Sequence, residues 1–350
     1  MLRSIVRIIV VLTCVWVLAD SIFGFENSWI LFLARVFSPI LFLVSVGGLC
    51  IGWLWCARNT EITPFITWPY ALLITIACAA PTLRSLIFLP HTLPPPPTST
   101  SDTAPLRLLN FNILGFDDLS PALLLEIAQR NPDIVTLQEV NPAVAETLNT
   151  HLASTYPCQV MDPAAGSWGM GIISKHPCTP IPISHSGNWV GKPQVVAVEI
   201  APQKKVVIAN VHAIHPHASL QPDPRNGPTP LTTLSQTVRA REHAIEQVLE
   251  VLRATGGGAS IIAGDLNATM RNSVYEKIRS AGYTDTWLTK HSLMSGGTWP
   301  VLRLANTRLA SEVIRIDFVF HSQALQPLLI EQLSPDTGSD HRGLFAIFQP

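Results

Sequence analysis

Lysine is absent from the first 90 residues, and charge of either sign is scarce there: five arginines (Arg3, Arg7, Arg35, Arg58, Arg84) against three acids (Asp20, Glu26, Glu61). So little charge excludes the polar face that a helix on the surface of a water-soluble domain needs. Residues 91–350 hold 18 basic and 21 acidic side chains and lack the basic excess of a tight, sequence-blind DNA binder. That balance leaves a nuclease open, because a metal ion can supply local positive charge. Cysteine is sparse too. Four of the six (Cys14, Cys50, Cys56, Cys78) lie in apolar runs, where a thiol is a small hydrophobe. The remaining two, Cys158 and Cys178, either pair in an oxidising compartment or stay free. No internal repeat is visible.

What the N-terminal part does have is length of apolar sequence. The whole chain is 47% hydrophobic and 13% charged, with mean hydropathy +0.31, too apolar for an ordinary soluble enzyme. Three runs, about 5–23, 36–56 and 65–89, reach or approach the ~20 residues a helix needs to cross a bilayer. A cleaved secretory signal is the alternative for the first, but no small-x-small site follows it and two further runs come after. Arg3 and Arg7 precede the first span, Asp20 and Glu26 follow it, and Arg58 lies between the second and third. The positive-inside rule then puts the N-terminus in the cytoplasm and, after three crossings, the rest of the chain on the extracytoplasmic side. The expected organisation is a transmembrane region at 1–90, a Pro/Ser/Thr-rich linker at 91–104 and a globular domain at 105–350. Four consecutive prolines, Pro94–Pro97, make the linker extended and semi-rigid.

Beyond the linker, short β-branched runs alternate with amphipathic stretches. Strands are predicted at Leu106–Ile113, Ile134–Glu139, Gly171–Ser174, Val195–Ile200, Lys205–Ala213, Ser260–Asn267, Arg315–Phe320 and Gly343–Phe348. Helices are predicted at Pro121–Gln129, Pro142–His151, Leu231–Ala254 and Ser273–Ser280, the first with proline at its start. Many strands with few helices point to two packed sheets flanked by helices.

Polar residues gather at the ends of these strands. Asn112 closes the first, Glu139 the second and His212 the run Val-Val-Ile-Ala-Asn-Val-His; Asp265 and Asn267 end Ile-Ile-Ala-Gly-Asp-Leu-Asn. Asp317 lies within Arg-Ile-Asp-Phe-Val-Phe, and Asp340-His341 precede the last strand. Hard oxygen donors of this kind suit Mg²⁺, which keeps several waters and substrate oxygens among its ligands. Two histidines with carboxylate partners suit proton transfer and stabilisation of developing charge. Each residue also has a plainer reading: turn residues for Asn112 and Gly-Asp-Leu-Asn, a helix start for Glu139, a partner of Arg315 or Arg342 for Asp317. His212, His215 and His217 raise a zinc cluster, but their spacing in a Pro-rich loop is not that of a helical zinc motif.

Taken in order, Asn-Ile, Gln-Glu-Val, Asn-x-His, Gly-Asp-Leu-Asn, Arg-Ile-Asp-Phe-Val-Phe and Ser-Asp-His-Arg closely resemble the endonuclease/exonuclease/phosphatase superfamily. That group includes DNase I-like nucleases, inositol-polyphosphate phosphatases and neutral sphingomyelinases. Gly297-Thr-Trp-Pro300 adds to the likeness. Gly343 departs from it, standing where many relatives have proline. The resemblance implies an α/β fold, a four-layer α-β-β-α sandwich, with the site at one edge of the paired sheets. It implies Glu139 as principal Mg²⁺ ligand with Asn112 and Asp340 nearby, Mn²⁺ being an alternative ion. It implies His341 as general base oriented by Asp317, Asp265 positioning the nucleophile, and Asn267 and His212 donating to phosphoryl oxygens.

The expected activity is therefore metal-dependent hydrolysis of a phosphodiester or phosphomonoester. A non-catalytic, membrane-tethered binding module of the same fold is the alternative. A transporter fails because the three spans hold no paired buried acids. The substrate is either nucleic acid or a phospholipid head group, and no protein partner is expected. The loop 215–230, with five prolines and two histidines, is expected to line the cleft. Lys204-Lys205 and Arg239/Arg241 are the basic pairs in view, the latter expected to face solvent on its helix.

Overall fold

The computed structural model describes residues 104–115, 119–184, 189–215, 234–291, 296–301, 303–304, 307–308, 312 and 314–350. The expected membrane spans, the linker and the loop 216–233 lie outside them. Among the described residues no helix is long and apolar enough to cross a membrane. Nearly all of them belong to one compact unit formed by residues 93–231, 236–270 and 274–350.

That unit is built on two six-stranded mixed sheets. The first runs in the order β13 (Gln326–Gln332), β14 (Leu344–Gln349), β1 (Leu106–Asn112), β2 (Ile134–Gln138), β4 (Met170–Ser174), β3 (Cys158–Asp162). The second runs β5 (Cys178–Ile181), β6 (Trp189–Ala201), β7 (Lys204–Ala213), β8 (Ser260–Asp265), β12 (Asp317–His321), β9 (Thr284–Asp285). A two-residue hairpin, β10 (Arg303–Leu304) with β11 (Thr307–Arg308), stands apart. Leu106, Leu108, Ile134 and Ile172 of the first sheet share one buried core with Val196, Val198, Ile208, Ile261 and Val319 of the second. The sheets therefore pack face to face.

The outer faces are covered by helices. Against the first sheet lie α1 (Pro121–Arg130) and α2 (Pro142–Leu152), which bury Leu123, Ile127, Val144 and Leu148 with Leu109, Val135 and Ile173. Against the second lie α3 (Leu234–Ala254) and α4 (Ser273–Ser280), through Ala244, Ile245, Val248, Val274 and Ile278. The result is the expected α-β-β-α layering. Local chemistry starts the first two helices. Ser120 and Asn141 accept hydrogen bonds from Ala122 N and Val144 N, and proline follows each cap.

Several elements differ from expectation. β3, β5, β9, β10, β11 and β13 were not foreseen, and β6 begins at Trp189 rather than Val195. β12 starts at Asp317, because Arg315 is instead drawn into a buried fork with Asp285, at 2.9 and 2.6 Å. Arg342 binds the Leu333 carbonyl and Gln332 Oε1 and lies 3.6 Å from Glu312. Neither arginine takes Asp317. Gly343 is explained by packing, since a Cβ there would come within 3.0 Å of the Asn110 carbonyl and closer still to Leu333 and Phe111.

Between the sheets lies a buried amide network. Asn110 Oδ1 accepts from Thr136 Oγ1 and Gln138 Nε2, both at 2.9 Å. Gln138 Nε2 also donates across the interface to Asn210 Oδ1 at 2.7 Å. Asn210 Nδ2 reaches back to the Leu137 and Gly171 carbonyls, both at 3.0 Å, and to Gln194 Oε1 at 3.2 Å. Buried polar groups paired in this way fix the relative register of the two sheets as apolar contacts alone would not. β3 and β5 are the corresponding edge strands of the two sheets, and the Cys158–Cys178 disulfide joins them with Cα atoms 5.9 Å apart.

Candidate active site

Strand register aligns the polar residues. In the second sheet His212 of β7 pairs with Asp265 of β8, and Asp265 pairs with Asp317 of β12, so three functional side chains stand in one row. In the first sheet Asn112 of β1 pairs with Gln138 of β2, which sets Glu139 just past the strand end. The β7–β8 approach is tight at Gly264. Its φ is +148°, and a Cβ would overlap the Val211 carbonyl, so only glycine fits immediately before Asp265.

The two sheets meet in one cluster. Asn112 Nδ2 donates to Glu139 Oε1 at 3.1 Å and to Asp265 Oδ2 at 3.2 Å. Glu139 Oε2 accepts from Gly115 N at 3.1 Å. His212 Nε2 is 3.5 Å from Asp265 Oδ2 and 3.9 Å from Glu139 Oε1. Asn267 N donates to Asp265 Oδ1 at 2.7 Å, while its side-chain Nδ2 donates to Asp265 Oδ2 at 3.2 Å and to the Ala213 carbonyl at 3.1 Å. His341 Nδ1 meets Asp317 Oδ2 at 2.9 Å, leaving Nε2 3.9 Å from Asp265 Oδ2 and 4.0 Å from Asp340 Oδ1. These side chains are buried except Asn267, which is half-buried, and Asp340, whose side chain is 39% exposed. Two of them sit on left-handed backbone, Glu139 at φ +65° and Asn267 at φ +47°. Such a conformation is costly for glutamate and persists only where the surroundings enforce it.

Supporting contacts fix the loop that carries His341. Ser339 Oγ donates to the Asn112 carbonyl at 2.8 Å and accepts from His341 N at 3.0 Å. Trp299 Nε1 donates to Asp340 Oδ2 at 3.0 Å. Thr298 Oγ1 accepts from Ile316 N and Asp317 N, at 3.1 and 3.2 Å.

The electrostatics are those of a pocket too rich in acid. Burial, then the neighbouring Asp317 charge, push the Asp265 carboxyl up to about 7, against the opposing pull of His341. Burial opposes charge on His341, but the Asp317, Asp265 and Asp340 carboxylates outweigh it and raise the imidazole to about 10. Asp317 Oδ1 and Asp340 Oδ1 are buried and have no hydrogen-bond partner among the described residues. Four carboxylates against two histidines, with acceptor oxygens to spare, fit a hard divalent cation.

Among the described residues, Asp265, Asp317 and His341 have ligating atoms within 4.8 Å of one another and form a group that could hold a metal ion, beside the expected ligands Asn112, Glu139 and Asp340. Asp317 Oδ2 is taken by His341, while Asp317 Oδ1 and Asp340 Oδ1 are the carboxylate oxygens of the cluster left without a hydrogen bond among the described residues. Asn112 is oriented as an N–H donor to two carboxylates, while its Oδ1 accepts from Leu114 N at 3.2 Å. His212 belongs to the Glu139–Asp265 cluster, and His217 lies outside the described residues. Arg241 corrects the sequence reading outright. It does not face solvent but is 1% exposed, and its Nη1 donates to the Asn267 carbonyl at 2.9 Å. Asn110, Gln138, Ser339 and Arg241 went unrecognised as parts of the site's support. For Arg241 a signal existed, since it occupies the apolar face of its helix, three and four residues before Ala244 and Ile245.

Known proteins of similar structure share this architecture. An endonuclease/exonuclease/phosphatase from Beutenbergia cavernae is 18% identical, with 70% of this chain and 71% of that one covered at a TM-score of 0.52. TDP2 of D. rerio, complexed with a single-strand DNA product, is also 18% identical over 71% of this chain and 100% of that one, at a TM-score of 0.51. An endonuclease/exonuclease/phosphatase from Bacteroides vulgatus is 16% identical over 70% and 99%, at a TM-score of 0.52. At these identities the likeness speaks to the fold. No curated protein matches the sequence. The family model described as the Endonuclease/Exonuclease/phosphatase family matches residues 109–341, well over half the chain and all of the site, and the chain belongs to that family.

Proposed function

We propose that this chain is a membrane-tethered, divalent-metal-dependent phosphoesterase whose catalytic domain works on the extracytoplasmic side. Family membership points to phosphoester hydrolysis. The observation that carries the reading is the convergence of Asn112, Glu139, His212, Asp265, Asn267, Asp317 and His341 on one buried cluster from both sheets.

His341 would take the proton of the attacking water at Nε2, since Nδ1 is held by Asp317. Its imidazole must be neutral to do so, and the carboxylates around it favour the charged form while no cation is bound. Asp265, 3.9 Å from that Nε2, positions the water. His212 Nε2 and Asn267 Nδ2 would donate to the phosphoryl oxygens of a bound substrate. Both N–H groups of the Asn267 amide are engaged, so donation to substrate exchanges one of its present acceptors. Mg²⁺, or Mn²⁺ in its place, held by Glu139 and Asp340, would supply Lewis-acid polarisation of the phosphate.

A nucleic-acid substrate draws support from the DNA product bound to the D. rerio protein. A lipid head group draws it from the three apolar runs, read as a tether. The Cys158–Cys178 disulfide supports an oxidising, extracytoplasmic setting. The deciding experiment is a panel of DNA, RNA, sphingomyelin, phosphatidylinositol phosphates and an aryl phosphodiester, each with Mg²⁺ or EDTA. Mg²⁺-dependent turnover of one class is expected. Inactivity on all, with tight binding of one, would favour a non-catalytic module.

A further inference from the structure

Arg241 lies on the core-facing stripe of α3, in the register of Ala244, Ile245 and Val248, where the helical pattern calls for an apolar residue. A guanidinium 1% exposed there is costly to desolvate, and an aliphatic side chain would pack the same stripe without that cost. One of its bonds goes to the loop that carries the site: Nη1 to the carbonyl of Asn267, 2.9 Å. Asn267 has φ +47°, a conformation that asparagine tolerates but does not require. The same residue's N–H donates to Asp265 Oδ1 at 2.7 Å. One residue thus connects the buried cation to the carboxylate, its carbonyl gripped from below and its N–H aimed at Asp265.

We propose that Arg241 is a positioning residue: by holding the Asn267 carbonyl it keeps that residue left-handed, and so fixes the rotamer in which Asp265 faces His212, Asn112 and His341. The proposal rests on the phosphoesterase reading for its effect on rate, but not for its effect on geometry. The planar fork of arginine suits a fixed carbonyl better than a flexible ammonium, so lysine is expected to restore the contact in part.

The test compares the full chain with Arg241→Met and Arg241→Lys, each assayed at least 20 °C below its own melting temperature. Arg241→Met should lower kcat about 10- to 100-fold, the range for groups that orient ligands from behind, and leave KM within about twofold. Arg241→Lys should recover most of the loss. Should the methionine variant not fold, Arg241→Gln, which keeps an N–H donor without the charge, takes its place. A folded variant with wild-type kcat, or one whose loss lies wholly in KM, would overturn the proposal. A crystal structure of the variant gives the reading that needs no turnover. Asn267 should leave the left-handed region and the Asn267 N to Asp265 Oδ1 bond should be lost; unchanged geometry overturns the proposal. Inactivity of the wild type on every substrate would count against the phosphoesterase reading alone, and the crystal structure would still decide the role of Arg241.

Discussion

His341, in the loop before β14 of one sheet, and Asp317, at the start of β12 of the other, lie 24 residues apart in sequence and meet through a single 2.9 Å bond from imidazole Nδ1 to carboxylate Oδ2. The bond fixes which nitrogen faces the pocket. His341→Ala should cost on the order of 10²–10⁴ in kcat for lost acid–base catalysis, and Asp317→Ala a comparable factor. Because the two act as a unit, the double variant should be scarcely worse than His341→Ala. Asp317→Asn should also move the ascending limb of the rate–pH profile to lower pH, since the charge that raises the imidazole is gone. Strictly multiplicative losses would mean independent roles.

Glu139→Gln keeps the shape and one of the two acceptor oxygens that serve Asn112 Nδ2 and Gly115 N, but removes the negative charge. Activity should fall and half-saturation should need at least tenfold more Mg²⁺. Titration of rate against Mg²⁺, with EDTA as the baseline, measures both. Wild-type metal dependence in this variant would remove Glu139 as a ligand, and selective rescue of the wild-type enzyme by Zn²⁺ would revive a histidine-based centre.

The Asp265 and His341 shifts should make the stability contributed by this cluster fall as pH rises. The Asp265 carboxyl is raised from 3.8 to about 7, so the folded state holds a proton that the unfolded chain releases, and stability from it is lost as pH rises across that interval. His341 is raised from 6.5 to about 10, and its contribution is complete below 6.5 and lost as pH climbs through 10. Both slopes have the same sign, so the EDTA-treated protein should melt progressively lower from pH 5 to pH 9. A cation bound among these carboxylates would compete with those protons, so Mg²⁺ should raise the melting temperature more at pH 9 than at pH 5. A Mg²⁺ effect that shrinks with rising pH would contradict the placement of the cation in this pocket.

The Cys158–Cys178 bridge closes a loop of about 20 residues between edge strands of different sheets. Replacing both by serine should cost about 3 kcal/mol on the chain-entropy account, visible as a lower midpoint in chemical denaturation. A reporter fused after Pro350 should behave as extracytoplasmic. Quantitative thiol labelling of both cysteines in native protein, or protection of the domain inside intact cells, would argue for the opposite side.

Much of this was legible in advance because strands that end in function end in polar residues. Asn112, Glu139, His212 and Asp265 break apolar runs at strand ends, while Asp317 opens an apolar run and His341 shortly precedes one, and strand periodicity marks such breaks well. What escaped had no such contrast. β3 and β13 are half-exposed edge strands with mixed composition, and β5 holds a proline. The disulfide stayed open because spacing alone does not tell whether two edges lie side by side. The amides Asn110, Gln138 and Asn210 look like interruptions of buried strands until the facing sheet supplies their partners. Arg241 was misplaced because a charge on a helix is ordinarily solvated, and the carbonyl that receives it is contributed by a loop 26 residues away.

The Gln138–Asn210 bond has a consequence for how activity arises in time. Glu139 follows immediately on one of these amides and His212 lies two residues after the other, on opposite sheets. Neither sheet by itself contains a cleft, so a folding intermediate with one sheet formed would be catalytically silent. Recovery of turnover during refolding would then act as a clock for closure of the sandwich, lagging behind the return of strand content and coinciding with the burial of the amides between the layers.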